Sequence, residues 1–456
     1  MRMVLIAVLT SVVALPAKAQ QPSVHATRIA ALVEPYLKHP RVNAVSVGVI
    51  SGDTQWNSHY GLLDGAKSSP PGDKTIYEIG SISKVFTSLL VAEAVESGRL
   101  KLDDPISTIM TELATENPDV GRITFRQLSH HVSGLPMTPT NLKPADPTNP
   151  FADYDQDQLN EYLLTAKPER KPDVAYEYSN LGVGLLGDLL ARQAGISYEE
   201  LLRQKVTEPL KMSDTGTRLS DKQNTRVAPP HNAALLPDGR WDFGALAGCG
   251  GICSTVDDML LFAKAWLNPP KTSLGKAMEL AWKQHRPAQG AERAMGLGWM
   301  IAGDGSTRWH NGVTGGYQSM LLISRELNSA TILLCNTAGS ETDALGEQIF
   351  QTVVGMDVKP RTFEKPFDVD AKTVQRLAGR YQLTPGFVMT VQATDVRLQV
   401  QLTGQQFLPI FPTSRTEWKY KAVDATLHFE LPETGNCPKV TLHQNGAQLP
   451  FVRIKE

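Results

Sequence analysis

The spacing of apolar residues changes twice along this chain, and that change constrains the fold more than any other feature. From about Val42 to Tyr60 apolar residues alternate as they do in strands ("VNAVSVGVI", then "DTQWNSHYG"). From Tyr77 to about Leu267 they mostly recur at three-and-four spacing, as in the stretch Tyr77 to Gly98 and again from about Leu181 to Ala194. Alternation returns from Gly296 in "GLGWMIA", "TRWHNG", "YQSMLLIS" and "ATILLCNT". Strands at both ends with helices between predict an α+β arrangement. One antiparallel sheet is assembled from both ends of the segment, with a helical lobe inserted. "PMTPTNLKPADPTNPFADY", Pro136 to Tyr154, reads as a long loop within that lobe.

Beyond about Pro360 the texture changes again. A polar, proline-bearing connector precedes eight short alternating stretches, from "GRYQL" to "PFVRIK". Their number and spacing predict a small antiparallel β-barrel or sandwich as a separate domain. With 456 residues, more than one core is expected. The expected division is a leader over residues 1–19, a main domain over 20–360, a linker over 361–370 and the barrel over 371–456.

The leader is read from Arg2, a mostly apolar run from Val4 to Leu15, and the small-x-small pattern Ala17-Lys18-Ala19. That run is too short to span a bilayer and has the form of a secretory signal, so an exported chain beginning near Gln20 is expected. No cysteine follows the cleavage pattern and no later apolar run is long enough for a span, so no stable membrane anchor is expected. A formal net charge of −2 with 20% charged residues gives no basic footprint for nucleic acid. The four cysteines, Cys249, Cys253, Cys335 and Cys437, allow three pairings and match no zinc spacing. Neither metal nor organic cofactor is expected.

The chemistry-bearing stretch is "YEIGSISKVFTSLLVAEAVESG". Ser81 and Lys84, three residues apart on a helix start, can meet on one face. A lysine desolvated among Ile82, Val85 and Phe86 can activate a serine hydroxyl as a nucleophile. Ser273-Leu274-Gly275-Lys276 has the same spacing, in a segment that reads as polar and turn-like. Neither a Gly-x-Ser-x-Gly elbow nor a His-Glu-x-x-His occurs. Gly182, Gly184 and Gly187 form a Gly-x-Gly-x-x-Gly inside an apolar helical run with no strand before it, which points to close helix packing rather than a dinucleotide.

Two more motifs accompany the first: Tyr178-Ser179-Asn180 at a loop–helix junction, and "HNGVTGGYQS", His310 to Ser319, opening a strand. In this order the three resemble the site motifs of penicillin-recognising serine enzymes, most closely class C β-lactamases and their D,D-peptidase and esterase relatives. "LSHHVSGLP" and "GGICSTVDDM" add to a similarity spanning roughly residues 30 to 355. The resemblance implies a class C β-lactamase-like sheet flanked by helices. It also implies Ser81 as the acylated nucleophile, Lys84 as its proton acceptor or electrostatic partner, and Tyr178 as the second acid/base, protonating the leaving nitrogen. Asn180 would bind the substrate amide and the lysine, and the N–H groups of Ser81 and Val313 would form an oxyanion hole. The third motif, His310-Asn311-Gly312, departs from the usual Lys-Thr-Gly. All three residues are expected to contact substrate, and His310 replaces the fixed cation with a group that can be neutral at pH 7, since an unperturbed imidazole titrates near ~6.5. His130 and His131 are expected to shape a turn, and Trp309 to belong to the core or a pocket wall.

The C-terminal stretches, with "LAGRYQL", resemble the small lipocalin-like domain carried by some of these hydrolases. The implied activity is hydrolysis of a small molecule, either a β-lactam or a D-alanyl peptide of the cell wall, in the periplasm. A carboxylesterase or a weakly catalytic penicillin- or peptidoglycan-binding sensor is the alternative.

Overall fold

The computed structural model describes residues 24–454 apart from 39–41, 67, 169, 288–293, 340, 364–366, 395, 406 and 421–422. The expected leader lies outside the described residues. Helix α1 (Val24–Lys38) precedes the hairpin β1 (Ala44–Ser51) and β2 (Thr54–Gly61). A short strand, β3 (Tyr77–Glu78), and a 3-10 turn (Gly80–Ile82) then lead into helix α2 (Ser83–Glu96). The single helix expected from Tyr77 is therefore divided. Tyr77 and Glu78 pair instead with β4 (Cys253–Ser254), and Gly80 adopts a left-handed φ of 50° that interrupts any helix.

The lobe contains α3 (Phe125–Ser129) and α4 (Asn180–Ala194), and α5 (Val256–Leu267) and α6 (Ser273–Trp282) return the chain to the sheet. Ser273 therefore starts a helix rather than a turn. Leu274, Ala277, Met278 and Ala281 give α6 a buried stripe at three-and-four spacing.

Four further strands complete the sheet: β5 (Met300–Ile301), β6 (Thr307–Val313), β7 (Gln318–Ser324) and β8 (Ser329–Cys335). Only the end of "GLGWMIA" is extended, because Trp299 turns inward and packs edge-on against Trp266 at 5.1 Å. The six-stranded order is β2-β1-β8-β7-β6-β5, with each neighbouring pair antiparallel. Val45 sits opposite Cys335, so the first and last strands of the segment meet in the sheet's middle. Every residue of β7 and β8 is buried, which reflects cover on both faces. Met320 and Leu322 pack with α1 and α7 (Thr342–Val353) in one core, and Leu321 and Ile323 join the other core beneath α2. Helix α2 is buried from Ser83 to Ala94, as expected of a helix apolar on all sides.

A short helix, α8 (Ala371–Leu377), precedes the closed antiparallel barrel of eight strands, β9 (Gly379–Thr384) to β16 (Ala447–Arg453). Pairing of Tyr381 with Arg453 closes the ring. Its interior is filled by alternate residues such as Met389, Val391, Leu398, Val400 and Trp418, so the barrel has a packed core. None of the four cysteines forms a disulfide, and all are buried. Among the described residues no helix is long and apolar enough to cross a membrane.

The glycine pattern in α4 follows from packing. A Cβ on Gly184 would lie 3.0 Å from the Leu246 Cα and 2.7 Å from its Cδ2, in the 3-10 segment Gly244–Cys249. Gly184→Ala should therefore destabilise the protein by about 1–3 kcal/mol, the usual effect of overpacking, despite alanine's better helix propensity. Urea or thermal unfolding measures this directly, and an unchanged midpoint would mean that the two segments do not depend on this close approach.

Candidate active site

Ser81 lies on the 3-10 turn ahead of α2, and Lys84 is in the first turn of that helix. The turn is pressed against β6. An ideal Cβ on Gly80 would sit 2.8 Å from the backbone nitrogen of Val313, so glycine is required there for space as well as for its φ. Ser81 remains half-buried and reachable, whereas Lys84 is 1% exposed.

The Lys84 ammonium has three donors and three neighbours. Nζ lies 2.9 Å from Ser81 Oγ, 2.8 Å from Asn180 Oδ1 and 2.7 Å from the Cys249 carbonyl. These acceptors come from three separate segments: the turn before α2, the start of α4 and the 3-10 segment before β4. The ring of Tyr178 stands beside the same cation, with its centroid 4.9 Å from Nζ.

Tyr178 and Asn180 owe their placement to the residue between them. Ser179 is the extended N-cap of α4, and its Oγ accepts from the Gly182 N–H at 2.8 Å while donating to the Pro136 carbonyl at 2.6 Å. The Ser179 N–H donates to Nδ1 of His131 at 3.1 Å, and the His131 ring packs 4.6 Å from that of Tyr178. His131 thus reaches beyond its own turn to hold the Tyr178 segment. Neither this contact nor the Cys249 carbonyl was evident from sequence, since a backbone oxygen leaves no side-chain signature.

On β6, alternation places His310 and Gly312 toward α2 and Asn311 on the opposite face. The Asn311 amide donates to Asp343 of α7 at 2.7 Å. Its side chain therefore ties strand to helix and does not face Ser81, which corrects the expectation of a substrate contact through this carboxamide. His310 is buried, and its Nδ1 donates to the carbonyl of Asn311 at 2.6 Å. Desolvation, reinforced by the nearby Lys84 charge, holds its pKa down at about 3. The ring is thus held toward its neutral form, in keeping with a third motif that replaces a fixed cation with a group that can be neutral at pH 7. Val313 is 46% exposed at the open end of the strand. Because β5 pairs only with Arg308 and Trp309, it does not cover the outer edge of β6 from His310 onward. Among the described residues no group of His, Cys, Asp or Glu side chains could hold a metal ion.

A serine and a fully hydrogen-bonded lysine at the junction of a helical lobe and an antiparallel sheet define the scaffold of a serine hydrolase. Residues 29–354 match the Beta-lactamase family, and the chain belongs to it. Residues 364–453 match a domain of unknown function (DUF3471). The Escherichia coli K12 protein "Beta-lactamase" is 26% identical over 274 residues, covering 59% of this chain and 68% of that protein. Penicillin-binding protein 4* of Bacillus subtilis is 23% identical over 452 residues, 92% of this chain and 96% of its own length, so that similarity runs through the barrel. The D-alanyl-D-alanine-carboxypeptidase/endopeptidase AmpH of E. coli K12 is 29% identical over 261 residues, 55% of this chain and 65% of that protein. A solved class C beta-lactamase superposes with a TM-score of 0.66 at 20% identity, covering 75% of this chain and 99% of its own, and this likeness establishes the fold.

The buried histidines make the site acid-sensitive. His130 and His310 are both pushed down to about 3, chiefly by desolvation, and His131 is pushed well below the ordinary 6.5 for the same reason. In the unfolded chain they take up protons near 6.5, so the stability they contribute is present above that pH and is lost as pH falls below it, for His130 and His310 down to about 3. Chemical denaturation at a series of pH values should show this loss, and His310→Asn should make it less steep. A slope unaltered in the variant would mean that His310 titrates normally.

Proposed function

We propose that this protein is an exported serine hydrolase that forms an acyl-enzyme at Ser81 and releases it with water. The observation that carries the reading is the geometry at Lys84 Nζ. Asn180 Oδ1 and the Cys249 carbonyl can only accept, so they fix two of the nitrogen's hydrogens. The remaining tetrahedral position points at Ser81 Oγ. In the ammonium that position is a donated N–H; in the amine it is a lone pair aimed at the serine proton. The same framework serves both protonation states without rearrangement.

In this reading Lys84, in its amine form, takes the proton as Ser81 Oγ bonds to the substrate carbonyl carbon. The carbonyl oxygen gains the charge and is held by the N–H groups of Ser81 and Val313, each typically contributing ~3 kcal/mol to the transition state. Tyr178 supplies a proton to the leaving atom as its bond to carbon breaks. Asn180 holds Lys84 and the substrate amide, and Gly312 lets the turn carrying Ser81 lie against β6, where a Cβ would meet the Ile79 carbonyl oxygen at 2.0 Å. Water then attacks the ester carbonyl and gives a proton to Tyr178, and Lys84 returns its proton to Ser81 Oγ as the ester C–O bond breaks.

The substrate reading is a β-lactam or a D-alanyl peptide, supported by relatives named as beta-lactamases, a penicillin-binding protein and a D-alanyl-D-alanine carboxypeptidase. Carboxylester hydrolysis is favoured by one specific observation: neutral His310 provides no fixed cation for a substrate carboxylate. The N-terminal signal pattern supports a periplasmic location. The proposed division is a catalytic unit to residue 360, a linker over 361–370 and the barrel from 371.

Intact-protein mass spectrometry with a penicillin over time separates these substrates. A transient adduct indicates a β-lactamase, and a lasting one a D,D-peptidase or a penicillin-binding sensor. Labelling by a fluorophosphonate alone indicates an esterase. Ser81→Ala should abolish labelling and Ser273→Ala should leave it intact; labelling that survives the loss of Ser81 would falsify the assignment. Tyr178→Phe should slow acylation by roughly 10²–10⁴-fold, the usual contribution of a positioned acid or base.

A further inference from the structure

A cavity of about 780 Å³ opens beside Val313, and its walls come from both domains. On the catalytic side it is lined by Trp241, Val313, Thr314 and Gly315. On the barrel side it is lined by Gln399 and Gln401 of β11 (Arg397–Leu402), with Phe407, Leu408 and Phe411 on or next to β12 (Leu408–Pro412). The interface is anchored rather than incidental. Arg397 donates to the Leu235 carbonyl at 2.7 Å, and buried Glu78 accepts from the Trp241 N–H at 3.0 Å, fixing the opposite wall.

The chemistry of the wall is unusual for the outside of a barrel. Leu398, Val400 and Ile410 point into the barrel core, so alternation turns Gln399, Gln401 and Phe411 outward. Those outward residues are half-buried because the catalytic unit stands over them. The result is an aromatic and aliphatic floor flanked by two carboxamides.

The direction of the substrate follows from the acid. The Tyr178 ring lies 6.5 Å from that of His310, so a leaving group protonated by Tyr178 lies toward the His310 end of β6. In the acyl-transfer reading the acyl portion would then extend the other way, past Val313 toward Gly315, where this cavity opens. We propose that the barrel's outer face forms the far wall of the acyl subsite and selects substrates with a bulky, aromatic N-acyl group, its amide met by Gln399 and Gln401. This rests on the Ser81 acyl-transfer reading above. The Beta-lactamase family match ends at residue 354, so the wall is supplied from outside that family's domain.

The test uses the full chain and two para-nitrophenyl esters sharing one leaving group, N-phenylacetylglycine and N-acetylglycine. The unaltered protein should favour the phenylacetyl ester in kcat/KM. Phe411→Ala and Phe407→Ala should each lower that ratio about tenfold, the scale of an apolar pocket contact. Gln401→Trp, which fills the cavity without removing core packing, should lower it at least as far, with an unchanged melting temperature. His428→Ala, on β14 (Ala425–Glu430), should leave the ratio alone. A ratio unaltered by both Phe411→Ala and Gln401→Trp overturns the barrel subsite while leaving the Ser81 chemistry standing. Hydrolysis of neither ester by the unaltered protein, together with no labelling of Ser81, overturns the acyl-transfer reading itself.

Discussion

The three hydrogen bonds of the Lys84 ammonium are the constraint on which the site depends. Burying an ammonium costs several kcal/mol, and the cost is tolerable only where every donor is met. Here the acceptors come from the turn before α2, the first residue of α4 and the backbone at Cys249. One side chain thereby holds three separate segments in register. It also sets the charge state around it: its positive charge contributes to keeping His131 and His310 neutral, so the pocket contains one cation rather than several. A single positive charge surrounded by neutral acceptors and an aromatic face suits an anionic transition state formed beside it.

The sheet supplies the other half of the arrangement. A strand covered on both sides has no unsatisfied edge, but β5 ends after two residues and leaves β6 open from His310 onward. An exposed edge of backbone donors and acceptors invites pairing by another extended chain. That edge lies beside the Ser81 turn, where the proposed substrate would sit. Val313, at the end of this edge, belongs at once to the edge, to the proposed oxyanion hole and to the cavity shared with the barrel.

What could be read from sequence was whatever depended on local period. The eight barrel strands and the meeting of β1 with β8 follow from alternation, because side-chain period is two wherever one face is buried. The strand expected at "GLGWMIA" largely failed, since Trp299 found a tertiary partner in Trp266 that periodicity cannot foresee. The helix expected from Tyr77 failed at Gly80, where close approach to β6 outweighed the apolar pattern. His310 was legible as a group that can be neutral at pH 7, but not as a buried one. Its ordinary pKa holds in water, and nothing in "HNGVTGG" reveals that the ring would be enclosed.

The two Ser-x-x-Lys copies show where the chemistry resides. Both stand at helix starts, Ser81 on the turn before α2 and Ser273 as the first residue of α6. The i, i+3 geometry and the favourable helix terminus are therefore common to both. Ser273 and Lys276 are exposed, so that ammonium keeps its hydration and water competes for the hydroxyl. Around Lys84 the same four-residue pattern is enclosed, and two carbonyl acceptors orient the nitrogen toward Ser81. The sequence pattern brings the two groups within reach; exclusion of water and fixed acceptors distinguish the Ser81 pair from the Ser273 pair, and the proposed acyl transfer at Ser81 rests on that difference.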